Sequence, residues 1–501
     1  MGSDSRTALF LHDASRRAFL IPNFPLHLDI RAHKYYNIIT TYSKEPRMKA
    51  SRSWSYERYL PLHEKKRARA PYVCRIAPFA DGFEFDFLDF SGSDAEYRIE
   101  WKERGSDESF FLPLTSFSGR VTGLKADRDY AFRVVRSDSV TSTERLVRTG
   151  DVPGTVVNFL HPDDPEYAFS GRYLCSPSLI RLENGDLLAS MDLYASGAPQ
   201  NLTLIYISHD NGATWSHHSE LFPCFWGKMF LCAGRLYMLG CSTEYGDLLI
   251  GRSDDGGKTW SSPTVLLRGG CNCKEVGWHR APMPMLIRDG RIMTDVQYGA
   301  WSSKVFCDCV ISADADSDLL DADNWVCTEL FDARELIDPL PERIWGGIEG
   351  NLTVTPDGKV VDFLRFSDRT ALILNYDPKK PEAEMTLDSV IPFPATASKF
   401  NVVFDGVSKK YYSIVSYALD EPATKRNLLS LICSDDLREW SLCRHLIDRR
   451  DDDPKQVGFQ YVDFFIEGKD ILFLCRTAVN GANSFHNSNY TTFHRIENFR
   501  N

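Results

Sequence analysis

The sequence predicts an all-β protein: a small β-sandwich followed by a six-bladed β-propeller. Three observations carry this. Residues from about 71 to 150 break into short strand-like runs divided by polar turns. From about 155 onward no apolar pattern of helical period occurs, and strand-like runs recur between Gly, Asp and Asn turns. Within that second region one turn signature repeats.

A chain of 501 residues exceeds one average domain, and composition divides it in three. Residues 1–70 are mixed and rich in Arg and Lys, without period, and read as an irregular N-terminal extension. Residues 71–152 are the sandwich and 153–501 the propeller. A formal net charge of −11 argues against a nucleic-acid partner, which needs a basic face, and against a membrane-surface role. No apolar run approaches the roughly 20 residues of a membrane helix. The start of the chain lacks the charged and apolar pattern of a secretory leader. The 13 Cys fall mostly on strand-like segments in no paired spacing. A cytoplasmic protein with reduced thiols is therefore expected. Cys271 and Cys273 form a lone C-x-C pair, short of a metal site. Neither metal nor cofactor is expected.

In the sandwich, Phe83, Phe85 and Phe87 alternate with Glu84 and Asp86, and Tyr97, Ile99 and Trp101 alternate with charged residues. Val121-Thr122-Gly123-Leu124 and the run Asp129 to Val135 follow. This succession resembles fibronectin type III, and the resemblance implies that Tyr130 is the corner tyrosine.

In the propeller, Ser208-His209-Asp210-Asn211-Gly212-Ala213-Thr214-Trp215 fits S-x-D-x-G-x-T-W, and Ser253 to Trp260 fits it again. Shorter or interrupted copies begin at Ser312 and Ser434. The last interval is about twice the one before, so the blade carrying Ala371 to Asn375 has lost its copy. One more interval reaches Thr491 to Ile496, and Thr155 to Phe159 is expected to close the ring against it. The signature resembles the Asp box (BNR repeat) of sialidases. Its logic is local: Ser and Asp side chains bind turn amides, Gly supplies positive φ, and Trp packs between blades.

A ligand of such a ring sits at one mouth of the channel, where the first strand of each repeat arrives. In the first repeat Asp192 ends the second strand. The later repeats present Trp226, suited to stack on a sugar, then His279, Glu349 with Asn351, and Lys399 followed by Arg426. The last presents Gln460, Tyr461 and Asp463, then Arg476, with His486 on the adjoining loop. Glu349 stands between small residues before an apolar strand, where an acid is expensive to bury without purpose. Strand alternation puts Tyr461 and Asp463 on one side. Paired carboxylates suit glycoside hydrolysis. Glu349 and Asp463 are thus catalytic candidates, and the resemblance to sialidases implies Tyr461 as a third. Asp192, Trp226, His279, Asn351, Lys399, Arg426, Gln460, Arg476 and His486 are the substrate-binding ones.

Residues 349–351, 399–400, 426–431, 458–463 and 492–500 also resemble segments of bacterial proteins described as sialidase-like or exo-alpha-sialidase. The resemblance implies a glycosidase acting on a carbohydrate, with Tyr461 as nucleophile. It also implies that the enzyme is not a true sialidase, because Cys175 stands where sialidases carry the carboxylate-binding Arg and Arg172 is displaced from it. Two alternatives remain open. One is a propeller lyase for uronate-containing glycans, using His279, Tyr461, Lys399 and Arg476. The other is a non-catalytic carbohydrate-binding protein.

Overall fold

The computed structural model describes residues 69–91, 94–270, 275–303, 305–335, 347–419 and 424–501. Nearly all of the expected N-terminal extension and the Cys271/Cys273 pair lie outside them. Among the described residues the chain is β-strand and turn, with short 3-10 turns at Ala322–Asn324 and Ala333–Glu335.

The first strands form two sheets. Tyr72–Phe79, Gly82–Leu88 and Ser118–Val121 make one, and Phe110–Leu114, Tyr97–Glu103, Asp129–Arg136 and Arg145–Arg148 the other. Phe83, Phe85 and Phe87 are buried against Ile99, Phe132 and Val134, while Glu84 and Asp86 between them stay partly exposed. Each such aromatic contributes roughly 1.5–3 kcal/mol by leaving water. The Tyr130 hydroxyl accepts the Lys125 N–H at 3.0 Å and ties the connection back onto its strand. Two side chains anchor these sheets to the strand Thr155–Phe159. The Arg75 guanidinium donates to Val157 O at 3.0 Å, and Asn158 accepts the Ile76 N–H at 3.1 Å.

Six further antiparallel sheets make up the rest of the described residues. The first comprises Tyr173–Arg181, Leu187–Tyr194, Thr203–Ser208 and Ser216–Leu221. The second comprises Phe225–Cys232, Arg235–Cys241, Leu248–Ser253 and Thr264–Leu267. The third has Gly277–His279, Arg291–Ala300, Val305–Asp314 and Trp325–Cys327, with Leu286–Arg288 also on its second strand. The fourth has Ile348–Val354, Val360–Ser367, Thr370–Tyr376 and Thr386–Pro392. The fifth has Val402–Asp405, Lys410–Ser416, Leu428–Ser434 and Ser441–Asp448. The sixth joins Gly458–Glu467, Asp470–Ala478 and Tyr490–Ile496 to Thr155–Phe159, with Tyr490 opposite Phe159. The earliest of these strands therefore pairs with the latest.

The recurring turns hold as local chemistry requires. Asp210 accepts the Thr214 N–H at 2.8 Å and its hydroxyl at 2.6 Å, and Ser208 accepts the Gly212 N–H at 2.8 Å. Asp255 accepts the Thr259 N–H at 2.8 Å in the same way. Gly212 has φ 88°, and a Cβ there would meet the Phe493 ring at 2.1 Å. At the shortened copy Leu437 takes the left-handed position with φ 68°. Trp215 packs on Phe493, and Trp440 on Phe363 and Phe393, so these indoles fill the joints between neighbouring sheets.

Hydrogen bonds run around the ring from sheet to sheet. Ser178 accepts the Met229 N–H, Arg280 donates to Leu239 O, and Asp295 accepts the Gly350 N–H. Asn351 accepts the Val402 N–H, Asn401 donates to Asp463, and Asp463 accepts the Leu179 N–H. The circuit closes on the sheet where it began.

Candidate active site

Four first strands share one irregularity. Each slips register against its partner by an extra residue, and the slip holds a non-glycine residue in the left-handed region: Ser176 (φ 50°), Trp226 (56°), Glu349 (59°) and Tyr461 (55°). Such bulges re-aim a side chain, and the strain persists only where the surroundings over-determine it. Here neighbouring sheets supply the restraint. Asp192 accepts the Trp226 N–H at 2.6 Å, and Asp295 accepts the Gly350 N–H at 2.8 Å.

Two residues beyond each bulge lies a side chain of the ring's interior. Lys228 donates to Asp463 at 2.6 Å, and Asn401 donates to the other Asp463 oxygen at 2.6 Å. Asn351 donates to Phe400 O at 3.1 Å, and Lys399 donates to Val462 O at 2.8 Å. Burial drives the Lys399 ammonium down to about 7, against the pull of Asp463. This layer is closed upon itself.

A second cluster gathers beside it, and several of its members are half-buried. One Arg365 nitrogen donates to Glu349 at 2.8 Å and to the Tyr461 hydroxyl at 3.4 Å, so a single guanidinium bridges carboxylate and phenol. The Arg476 guanidinium lies 5.1 Å from the Tyr461 ring centroid and 5.4 Å from that of Tyr194. It also donates to His486 O. Arg426 donates to Gln460 and to Ala397 O and lies over the Phe485 ring. The Gln460 amide in turn donates to Phe485 O at 2.6 Å, which fixes the carbonyl that receives Arg426.

The electrostatics are those of an anion pocket. Burial opposes the charge on Arg365, but Glu349 and then Tyr461 outweigh it and hold the guanidinium above its usual range. Arg426 has no such acid; burial brings it down to about 10, with Arg365 and Arg476 adding to the strain against Tyr461 and Glu349. His486 is pushed to about 2 by burial and then by Arg476, Arg426 and Arg365, so it is neutral at pH 7. Among the described residues neither Arg426 nor Arg476 belongs to an ion pair, and the buried Arg476 Nε has no hydrogen-bond partner. Their hydrogen bonds go to neutral oxygens, so the positive charge of both guanidiniums is left without a carboxylate beside it.

The structure therefore brings together Glu349, Tyr461, Arg426, Gln460, Arg476 and His486. It places other candidates elsewhere. Asp463 is 1% exposed and both its oxygens are taken, by the Leu179 N–H, Lys228 and Asn401. The register slip between Gln460 and Asp463 breaks the alternation expected to put it beside Tyr461. Asp463 is thus a pin between sheets. Lys399 and Asn351 belong to the same closed layer. Asp192 has no exposure: Thr203 and the Trp226 N–H enclose it, and burial lifts its carboxyl to about 7. His279 is buried behind Trp226, hydrogen-bonded to Gln297, and burial lowers it to about 4. Trp226 is 9% exposed and packs against Tyr245 and His279.

Sequence reasoning missed the carboxyls behind Glu349. Asp295, Asp308 and Asp362 lie together without exposure, and burial raises all three, Asp295 to about 6. They occupy middle strands, where apolar neighbours hide them from a search of strand starts.

No family model matches the chain, and no curated protein matches it. Solved structures do resemble it in chain path. An alpha-L-arabinanase of Penicillium chrysogenum, complexed with arabinobiose, is 15% identical over 69% of this chain and 98% of its own, with a TM-score of 0.46. The Hadza microbial sialidase Hz136 is 11% identical over 88% of this chain and 94% of its own, TM-score 0.47. A leech intramolecular trans-sialidase, complexed with 2,7-anhydro-Neu5Ac, is 11% identical over 89% and 93%, TM-score 0.47. No residue's role is carried over from likeness at this level.

Proposed function

We propose that the chain is a six-bladed Asp-box propeller, preceded over 71–152 by a fibronectin type III-like sandwich, and that it hydrolyses glycosides of a carboxylate-bearing sugar. The observation that carries the reading is the convergence of Arg365, Arg426 and Arg476 on Tyr461, two of them without an acid of their own.

In this reading the substrate carboxylate is drawn to the uncompensated charge of Arg426 and Arg476, which sets the anomeric carbon over Tyr461. The Tyr461 hydroxyl attacks, and Glu349, joined to it through Arg365, receives the proton. Water then releases the sugar with its configuration retained. Cys175 lies within electrostatic reach of Arg476. In this reading, the guanidinium lacking at that position is supplied from the sixth sheet, and sialosides become candidate substrates together with uronides. A non-catalytic lectin needs the positive charge but not a phenol and a carboxylate on one guanidinium.

The test is a panel of sialosides, glucuronides and neutral arabinosides. Release of the aglycone from an acidic glycoside, with no new ultraviolet absorbance, supports the reading. Absorbance of an unsaturated product favours the lyase, and turnover confined to neutral glycosides contradicts the anion pocket.

A further inference from the structure

Among the described residues, the site as built has a nucleophile and a base but no proton donor so far. Glu349 is already paired with Arg365 at 2.8 Å. Asp463 has no free oxygen, Asp192 is enclosed, and Asp295, Asp308 and Asp362 are buried behind the Glu349 bulge. A carboxyl that serves as a general acid must be partly open, unpaired with a cation and near the reacting bond.

Glu244 is partly open and stands on the loop that follows the strand paired to the Trp226 bulge. It lies on the loop between Arg235–Cys241 and Leu248–Ser253 and is half-buried. The Gln200 amide donates to its Oε2 at 2.7 Å. Gln200 is itself fixed: it has no exposure, φ is 51°, and its N–H donates to Ser170 O at 2.9 Å. The Glu244 loop is tied down by Thr243 donating to Pro199 O, and by Asp247, which pairs with Arg268 at 2.7 Å and accepts the Gly269 N–H at 2.8 Å. The loop leaves its strand at Cys241, which pairs with Phe225 beside the Trp226 bulge, and the ring of the next residue, Tyr245, lies 5.8 Å from that of Trp226, so Glu244 stands at the end of its sheet where the bulged residues lie. The titratable groups that face it are Tyr245 on its own loop and Tyr194 and Cys175 of the first sheet. Among the described residues no cation pairs with it. Burial raises its carboxyl, against the hydrogen bonds of Gln200 and Tyr245.

We propose that Glu244 is the catalytic proton donor, its carboxyl positioned by Gln200 to protonate the leaving-group oxygen of the glycosidic bond. The inference rests on the acidic-glycoside reading above. In the first step the Tyr461 oxygen bonds to the anomeric carbon as the glycosidic C–O bond breaks. The Glu244 proton goes to the departing oxygen, which leaves as an alcohol, and the Tyr461 proton goes to Glu349. In the second step Glu244 takes a proton from water as its oxygen displaces Tyr461, and Glu349 returns its proton to the phenol.

The test compares two glycosides of the same acidic sugar, one with a 4-nitrophenyl and one with a simple alkyl leaving group. The nitrophenolate departs without help and the alkoxide does not. In Glu244→Gln, kcat/KM for the alkyl glycoside should fall roughly 10²–10⁴-fold, the nitrophenyl glycoside should change less than about tenfold, and the alkaline limb of the alkyl pH profile should vanish. Glu244→Asp should regain part of the alkyl activity. Equal losses on both substrates at an unchanged melting temperature, or an unchanged alkyl rate, overturn the assignment while the glycosidase reading stands. If the unaltered protein cleaves neither glycoside, the underlying reading is itself overturned.

Discussion

Replacing Asp463 by Asn separates a structural pin from a catalytic acid. The carboxylate meets Lys228 at 2.6 Å, the Leu179 N–H at 2.7 Å and Asn401 at 2.6 Å, with the whole group 1% exposed. Substitution leaves the Lys228 ammonium buried without its counter-charge, and breaking a buried pair from one side costs about 3–5 kcal/mol. An unfolding entropy of about 2.1 cal/mol/K per residue over roughly 350 ring residues gives about 0.7 kcal/mol/K. The expected fall in Tm is therefore about 4–7 °C by scanning calorimetry. Adding Lys228→Met removes the stranded charge and should restore more than half of the loss. A single substitution that leaves Tm within about 1 °C while abolishing turnover would refute the argument and return Asp463 to the catalytic group.

The same geometry sets further outcomes. Arg426→Ala and Arg476→Ala should each weaken kcat/KM for a carboxylate glycoside by about 10–100-fold, the worth of a charge-assisted hydrogen bond, and leave a neutral analogue nearly unchanged in steady-state assays. Gly350→Ala puts a Cβ 2.3 Å from Asp362 Oδ1 and 2.7 Å from Asp295 Cγ; it should destabilise by about 1–3 kcal/mol in denaturant titrations and depress turnover by shifting Glu349. Asp295 and Asp362 have folded values raised above the unfolded carboxyl range, Asp295 to about 6. Their contribution is present below about pH 4 and is lost as pH rises through 6 and beyond. Asp362→Asn should therefore flatten the decline of Tm between pH 5 and pH 8, and an unchanged slope would contradict the shared burial.

Much of the ring was legible because its turns are local. Ser208, Asp210 and Gly212 satisfy one another within a few residues, so the pattern survives in sequence and even in the shortened copy at Leu437. The fourth sheet shows how the signal is lost: Thr370–Tyr376 keeps its strand but has no such turn. At the site, Glu349 and Tyr461 stood out as polar groups opening apolar strands. Asp463 was misplaced because strand alternation fails wherever a bulge inserts a residue, and nothing near Tyr461 in the chain announces the bulge. Asp192 was misplaced because its partner, the Trp226 amide, belongs to the next sheet. Glu244 escaped notice because it comes from a loop between later strands, and only the folded chain brings it to its partner Gln200, 44 residues earlier.

The most direct test is to trap the intermediate. A fluorinated acidic-sugar glycosyl fluoride is incubated with the protein and the adduct mapped by peptide mass spectrometry. The account predicts one sugar bound to the peptide carrying Tyr461, and none in Tyr461→Phe. An adduct on any other residue, or turnover of the acidic glycoside with inverted configuration and no adduct, would contradict it.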